Sequence, residues 1–245
     1  IQEIAEALKG TDKVVLIKNP VNPDLALWLG AVERFYTQDV KNLGVIHRGF
    51  STYEKTRYRN NPEWQVAVDL QDKFPDLPLI LDPSHIAGRR DIIFDLCQTG
   101  LDLNYDGIMV ETHYDPDNAW SDAAKQITPS TLVQIMKDLK IRKEEGTAAE
   151  FNNKLNTLRT QIDVVDHQLI ESLGKRMKIA DSIGELKTQN NVAILQSKRW
   201  NEILGAMILE GEKHNLSEEF ILRVFKAIHQ ESINHQKKIS RMEEA

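Results

Sequence analysis

The chain has 245 residues, with 31 Lys and Arg against 37 Asp and Glu, a formal net charge of -6. That length leaves room for one large domain or two, and the acidic balance gives nucleic-acid binding no support. The single cysteine, Cys97, excludes a disulfide framework; it lies in a helical pattern (DIIFDLCQTG), where a small buried hydrophobe is the default. No run of about 18 apolar residues and no signal peptide is visible, so a soluble, cytoplasmic protein without a membrane partner is expected. The chain opens on Ile rather than Met, as a fragment or processed form of a longer protein would.

In chain order, residues 1 to 9 (IQEIAEALK) form a short amphipathic helix ending at Gly10. VVLIK, 14 to 18, is a continuous apolar run suited to a strand buried on both faces. A helix follows from Pro23 to about Tyr36, then a strand, LGVIH, at 43 to 47. A loop rich in charge and aromatics leads to a helix near Pro62 to Phe74 and a third strand, LPLILD, at 77 to 82. A helix over about Arg89 to Thr99, a strand GIMVE at 107 to 111 and a helix over Pro129 to Lys140 close the block. Strand and helix alternate at a repeat of roughly 30 residues, the rhythm of parallel strands with right-handed crossovers. Four such units make half of a (β/α)8 barrel, which needs about 250 residues; a small open parallel sheet fits the same count.

Residues 141 to 153 (IRKEEGTAAEFNN) mix charge, Gly and small residues without a stripe and form a linker between a first domain, 1 to 140, and a second, 154 to 245. The second domain starts with a long helix from Lys154 to about Gln189, with apolar residues at Leu155, Leu158, Ile162, Val165 and Leu169, the spacing of one helix face. Extending the stripe brings Arg176 and Lys187 onto or beside it; Arg159 lies one turn after Leu155, at its edge. A charge on an apolar seam is costly unless an anion meets it, and nothing acidic lies on that seam nearby. Snorkelling stems or interhelical salt bridges would account for two such cations. A second helix, from about Ser197 to His214, puts Arg199 on one face with Ile203 and Met207. The last helix, Glu218 to about Arg241 with Ser217 as N-cap, turns Ser232 and Gln236 inward on its apolar stripe. Three helices thus converge hydrogen-bonding and cationic groups on one space, which suits a small, multiply anionic, partly apolar ligand. A helix about 50 Å long cannot bury its stripe against two shorter ones, so a dimer with antiparallel long helices is expected.

In the first domain each strand ends on a chemically active residue: Lys18, then Arg48, then Asp82 to His85, then Glu111. The C-terminal ends of parallel strands line active sites in this fold class. Lys18 and Arg48 suit a carboxylate or phosphate. His85, Glu111 and Asp122, on three successive loops, are either a divalent-metal set or solvated loop residues.

The segments LxxLRxxID, GKRxxIA, GELK, KRWNEIL and ESINHQ, from about Phe151 to Arg241, resemble the all-helical chorismate mutase family. LIKN, HRGF, LDPSHxxGRRD, MVETHxDP and SDA, within residues 1 to about 140, resemble the C-terminal half of DAHP synthase. Together these resemblances imply an α/β plus all-α chain, the second half of a TIM barrel followed by a three-helix, intertwined-dimer mutase domain. The first resemblance implies the Claisen rearrangement of chorismate to prephenate without a cofactor. Arg159 (from the partner subunit of a homodimer), Arg176 and Arg199 would clamp carboxylates; Lys187 and Gln236 would reach the ether oxygen, and Ser232 would bind a carboxylate. The second implies condensation of phosphoenolpyruvate with erythrose 4-phosphate. Lys18 and Arg48 would bind phosphoenolpyruvate, and His85, Glu111 and Asp122 a metal of the Mn, Fe, Co or Zn class, with His113 beside the site.

The chain departs from both families. Gln196 stands where the mutase family often has Asp, and Trp200 where a Glu often meets the substrate hydroxyl. The synthase family's early metal-binding Cys, its Lys-Pro-Arg-Thr motif and an arginine expected just before Ile1 are absent, and His47 replaces a common Glu. The expectation is therefore a bifunctional shikimate-pathway protein whose synthase part is incomplete in this chain. Two alternatives are a prephenate- or chorismate-sensing regulatory module and a helical dimerisation module without a ligand.

Overall fold

The computed structural model describes residues 1–53, 56–143 and 148–243. The chain divides into two compact units, Ile1–Glu145 and Gly146–Ala245.

The first unit begins with helix α1 (Gln2–Leu8), strand β1 (Val15–Lys18), helix α2 (Leu25–Thr37) and strand β2 (Leu43–His47). Helix α3 (Trp64–Lys73), strand β3 (Leu79–Leu81), a short helix α4 (Pro83–Ala87) and helix α5 (Ile93–Asp102) follow, then strand β4 (Gly107–Ile108) and helix α6 (Pro129–Asp138). The sheet is parallel throughout, in the order β1-β2-β3-β4. Sequential order without a reversal is the wall of a (β/α) barrel; a doubly wound open sheet changes direction at a switch point.

Local chemistry sets the boundaries. Asp24 caps α2 by accepting from Leu27 N at 3.0 Å, and Thr128 caps α6 by accepting from Thr131 N at 3.1 Å ahead of Pro129. Asp82 caps α4, a helix the sequence reading missed, by accepting from His85 N at 3.0 Å. Gly88 ends α4 at φ +66°, and a Cβ there would lie 2.6 Å from Arg59 Cβ, so both the turn and the close approach need glycine.

Three expectations need correction. β1 is not buried on both faces: Leu16 is 39% exposed, because β1 has no outer neighbour among the described strands. β4 is two residues long rather than five; Met109 N still donates to Leu81 O at 2.7 Å, but the chain then turns away to pair Thr112 with Ile127. The linker is shorter than 141 to 153: residues 144–147 lie outside the described residues, and helix starts at Ala149.

The core of this unit collects Trp28, Phe50, Leu70, Leu79, Leu81 and Ile86, all fully buried. Cys97 is buried with them, and burial pushes its thiol up to about 12, as expected of an inert packing residue. His47 is also fully buried. Its ring contacts Trp28, Phe50, Trp64 and Tyr105, and its Nδ1 lies 2.7 Å from the Tyr105 hydroxyl. It is a core residue, and desolvation lowers its pKa from 6.5 to about 4.

The second unit consists of α7 (Ala149–Gln189), α8 (Ser197–Lys213) and α9 (Glu218–Glu243). With 41 residues, α7 is about 62 Å long, more than the expected 50 Å. Its C-terminal half packs on α9, where a Cβ at Gly184 would lie 3.1 Å from Gln236 Cα and His235 Nδ1 meets Asp181 at 2.8 Å. Its N-terminal half leaves Leu158, Ile162, Val165 and Leu169 between 56% and 60% exposed.

The His47 shift makes stability depend on pH. The folded state holds the ring neutral, so the unfolded chain binds more protons between pH 6.5 and about 4. The stabilisation is complete above 6.5 and is lost as pH falls through that window, by at most about 3 kcal/mol. Urea unfolding of the first unit at pH 7 and pH 4.5 should show this loss, and His47→Phe should flatten it.

Candidate functional site

The second unit encloses a cavity of about 270 Å³ between its three helices. α7 contributes Arg176 and Lys187, α8 contributes Arg199 and Trp200, and α9 contributes Ser232 and Gln236. The periodicity that placed these residues inward on separate helices brings them into one space. Arg159 is not among them: it is exposed on α7, about 25 Å along the helix axis from Arg176.

The cavity is strongly cationic, and no carboxylate is among its lining residues. Ser232 Oγ donates to Ile228 O at 2.8 Å and accepts from Arg176 Nη1, so α9 aims the guanidinium at the cavity. Lys187 Nζ donates to Ile194 O at 2.6 Å, and desolvation holds its pKa below the usual lysine value. Arg199 is the most exposed of the three, with Glu202 3.5 Å away. Gln236 is buried, and its Oε1 has no hydrogen-bond partner among the described residues. A buried amide left unpaired in a cationic cavity is an unmet polar demand that a ligand could satisfy.

Two lining positions depart from the expected chemistry. Gln196 lines the cavity without a charge. Trp200 stacks on His229, ring centroids 4.0 Å apart and 15° from parallel. His229 was missed in the sequence, although it lies three positions before Ser232 on the same helix face. Desolvation, then the Arg176 and Lys187 charges, lower its pKa and favour the neutral ring.

In the first unit the C-terminal ends of the strands do converge. Asp82 is 1% exposed; its Oδ2 lies 2.7 Å from His85 Nδ1 and 4.0 Å from Lys18 Nζ. His85, Glu111 and Asp122 each offer a ligand atom within 4.8 Å of the others. Asn19 Oδ1 holds the Arg48 backbone N–H at 2.7 Å, and Arg48 Nε is buried without a partner among the described residues. His113 is engaged locally, its Nδ1 2.6 Å from Asp115 O and its ring stacked on Tyr114.

Lys125 is a further member of this cluster that its place in the sequence does not reveal. It is 1% exposed, and its Nζ lies 3.0 Å from Glu111 Oε1 and 3.1 Å from Asp122 Oδ2. Lys125, and more weakly Arg59 at 3.4 Å, hold the Asp122 carboxyl below the usual range. The donor types suit a divalent ion, but an ammonium already occupies the space between both carboxylates. As folded, this set does not fit a metal.

A parallel (β/α) wall ending in cations and carboxylates, and a three-helix unit around a cationic cavity, define a two-domain chain with a candidate site in each domain. The chain belongs to the DAHP synthetase I family, whose model matches residues 2–147, and the chorismate mutase type II model matches residues 158–237 of the second unit. A phospho-2-dehydro-3-deoxyheptonate aldolase of Thermotoga maritima is 29% identical over 129 residues, covering 53% of this chain and 38% of that protein. A bifunctional chorismate mutase/prephenate dehydratase of Buchnera aphidicola is 34% identical over 88 residues, covering 36% of this chain and 23% of that protein. A truncated 3-deoxy-D-arabino-heptulosonate 7-phosphate synthase from Thermotoga maritima superposes with a TM-score of 0.52 at 26% identity, covering 56% of this chain and 52% of that one. The chain thus spans less than half the length of these two curated relatives. Both families are enzymes, and the synthase family is typically metal-dependent. No helix among the described residues is long and apolar enough to cross a membrane.

The close approach of α7 and α9 at Gly184 positions Gln236. Gly184→Ala should push α9 back by a few tenths of an ångström, because the nearest atom is backbone rather than a flexible side-chain end. A loss of about 1–3 kcal/mol in urea unfolding of the second unit is expected; an unchanged midpoint would show that the helices yield freely.

Proposed function

We propose that the helical unit converts chorismate to prephenate. The observation carrying this is a cavity into which Arg176 and Lys187 point with no carboxylate among the lining residues. Two inward charges without a protein counterion are costly unless a dianion completes the site. The rearrangement is intramolecular and needs no covalent partner and no cofactor. Its catalysis reduces to holding the compact conformer and stabilising charge that develops on the ether oxygen. Arg176, positioned by Ser232, and Arg199 would grip the carboxylates, with Ser232 adding its hydroxyl. Lys187 and Gln236 would reach the ether oxygen; a flip of the Gln236 amide presents its Nε2 in place of the orphaned Oε1. Trp200 has no acceptor for the substrate hydroxyl, and neutral His229 stacked against it offers a ring nitrogen for that role. Relatives matching this unit are named as enzymes, so a purely regulatory or ligand-free module is not favoured.

The active form would be a homodimer. The exposed stripe of Leu158, Ile162, Val165 and Leu169 needs a cover, and an antiparallel partner helix supplies one while delivering its own Arg159 to this cavity. Arg159 is too far away to act within its own chain. In the first unit, Lys18 and Arg48 suit phosphoenolpyruvate, with erythrose 4-phosphate as the co-substrate of the full synthase. One imidazole and two carboxylates would take a Mn, Fe, Co or Zn class ion, but Lys125 stands in that position and no synthase step is assigned to this chain. We place the protein in the cytoplasm, with aromatic amino acid biosynthesis.

Lys187→Ala should reduce chorismate turnover by roughly 10²-fold or more, as for loss of an oxyanion donor, with the melting temperature nearly unchanged. Loss of stability alone would make Lys187 a structural partner. Ile162→Asp with Leu169→Asp should give a monomer by light scattering and abolish turnover, because each cavity then lacks its third arginine. A fully active monomer would refute the shared site.

A further inference from the structure

We propose that Lys125 is a built-in cation that takes the place of a divalent metal at the strand ends of the first unit, so that this unit binds metal weakly as folded. Lys125 lies three positions after Asp122 on a single turn, and its backbone N–H donates to Asp122 O at 3.1 Å. That turn directs the side chain inward, where it is 1% exposed, with Nζ 3.0 Å from Glu111 and 3.1 Å from Asp122. A buried ammonium at this distance from both carboxylates uses the lone pairs a metal would need.

The surrounding charges agree. Asp82, Glu111 and Asp122 are met by Lys18, Arg59 and Lys125. Three carboxylates against three cations is already balanced. A divalent ion entering this set would leave two positive charges unmatched and face Lys125 at contact range. It could bind only if Lys125 left its buried position. His85 adds a constraint, because its Nδ1 is held 2.7 Å from Asp82 Oδ2, which leaves only Nε2 for a metal. Lys125 therefore takes the structural part of the metal's role, neutralising Glu111 and Asp122 and tying the loop after β4 together. It cannot take the Lewis-acid part, since an ammonium has no open coordination position.

The test is Mn2+ binding by the full 245-residue chain, read from the electron paramagnetic resonance signal of free Mn2+. Wild type, His85→Ala, Lys125→Gln and the Lys125→Gln, His85→Ala double variant are compared. The wild type should bind no tighter than millimolar and no differently from His85→Ala. Lys125→Gln should bind at least tenfold tighter, and the gain should vanish in the double variant. Mn2+ should raise the melting temperature of Lys125→Gln but not of the wild type. Micromolar binding by the wild type that disappears in His85→Ala would overturn the proposal, as would a Lys125→Gln affinity equal to the wild type's. If Lys125→Gln does not fold, the wild type and His85→Ala still decide by the first comparison.

Discussion

An ionised group removed from water needs an opposite charge or a full set of hydrogen bonds, and the two units meet that requirement in opposite ways. In the helical unit Arg176 and Lys187 turn inward and the protein supplies no carboxylate. In the barrel unit Lys125 turns inward and the protein supplies Glu111 and Asp122 to meet it. The first arrangement is a site awaiting an anionic ligand. The second is a site whose charge demand is already met from within the chain.

The helical cavity depends on how closely its helices approach. Gly184 lets α7 and α9 come together at Gln236, and His235 with Asp181 fixes their register one position away. That contact orients Ser232, which in turn orients Arg176 through a single side-chain hydrogen bond. The groups lining the cavity are therefore held by the packing of helices rather than by loops, which suits the proposed intramolecular rearrangement, whose only need is a shaped, charged cavity. The N-terminal half of α7 has the reverse character: its apolar stripe is exposed, and Arg159 lies at its edge far from the cavity.

In the barrel unit the short helix after β3 links structure to site. Asp82 caps that helix through Oδ1 and holds His85 through Oδ2, so one buried carboxylate sets both the backbone turn and the imidazole orientation. His47, one strand away, shows that a histidine near a site can be entirely a core residue, its ring enclosed by aromatic side chains and kept neutral by burial.

Sequence periodicity alone determined the alternation of strands and helices, the inward face of each helix of the second unit and the placement of Lys18, Arg48, Asp82 and Glu111 at strand ends. These follow from spacing along one element, which the chain carries locally. The two-residue length of β4, the open outer face of β1, the extra turn at Pro83–Ala87 and the earlier start of α7 were not legible, because they depend on neighbours distant in sequence. His229 was readable in principle from its helical spacing to Ser232. Lys125 was not: in the sequence it is one lysine in a polar loop, and only the fold brings its ammonium between two carboxylates and closes it off from water. Whether a charge is matched depends on what surrounds it in three dimensions, and that the tertiary structure alone decided.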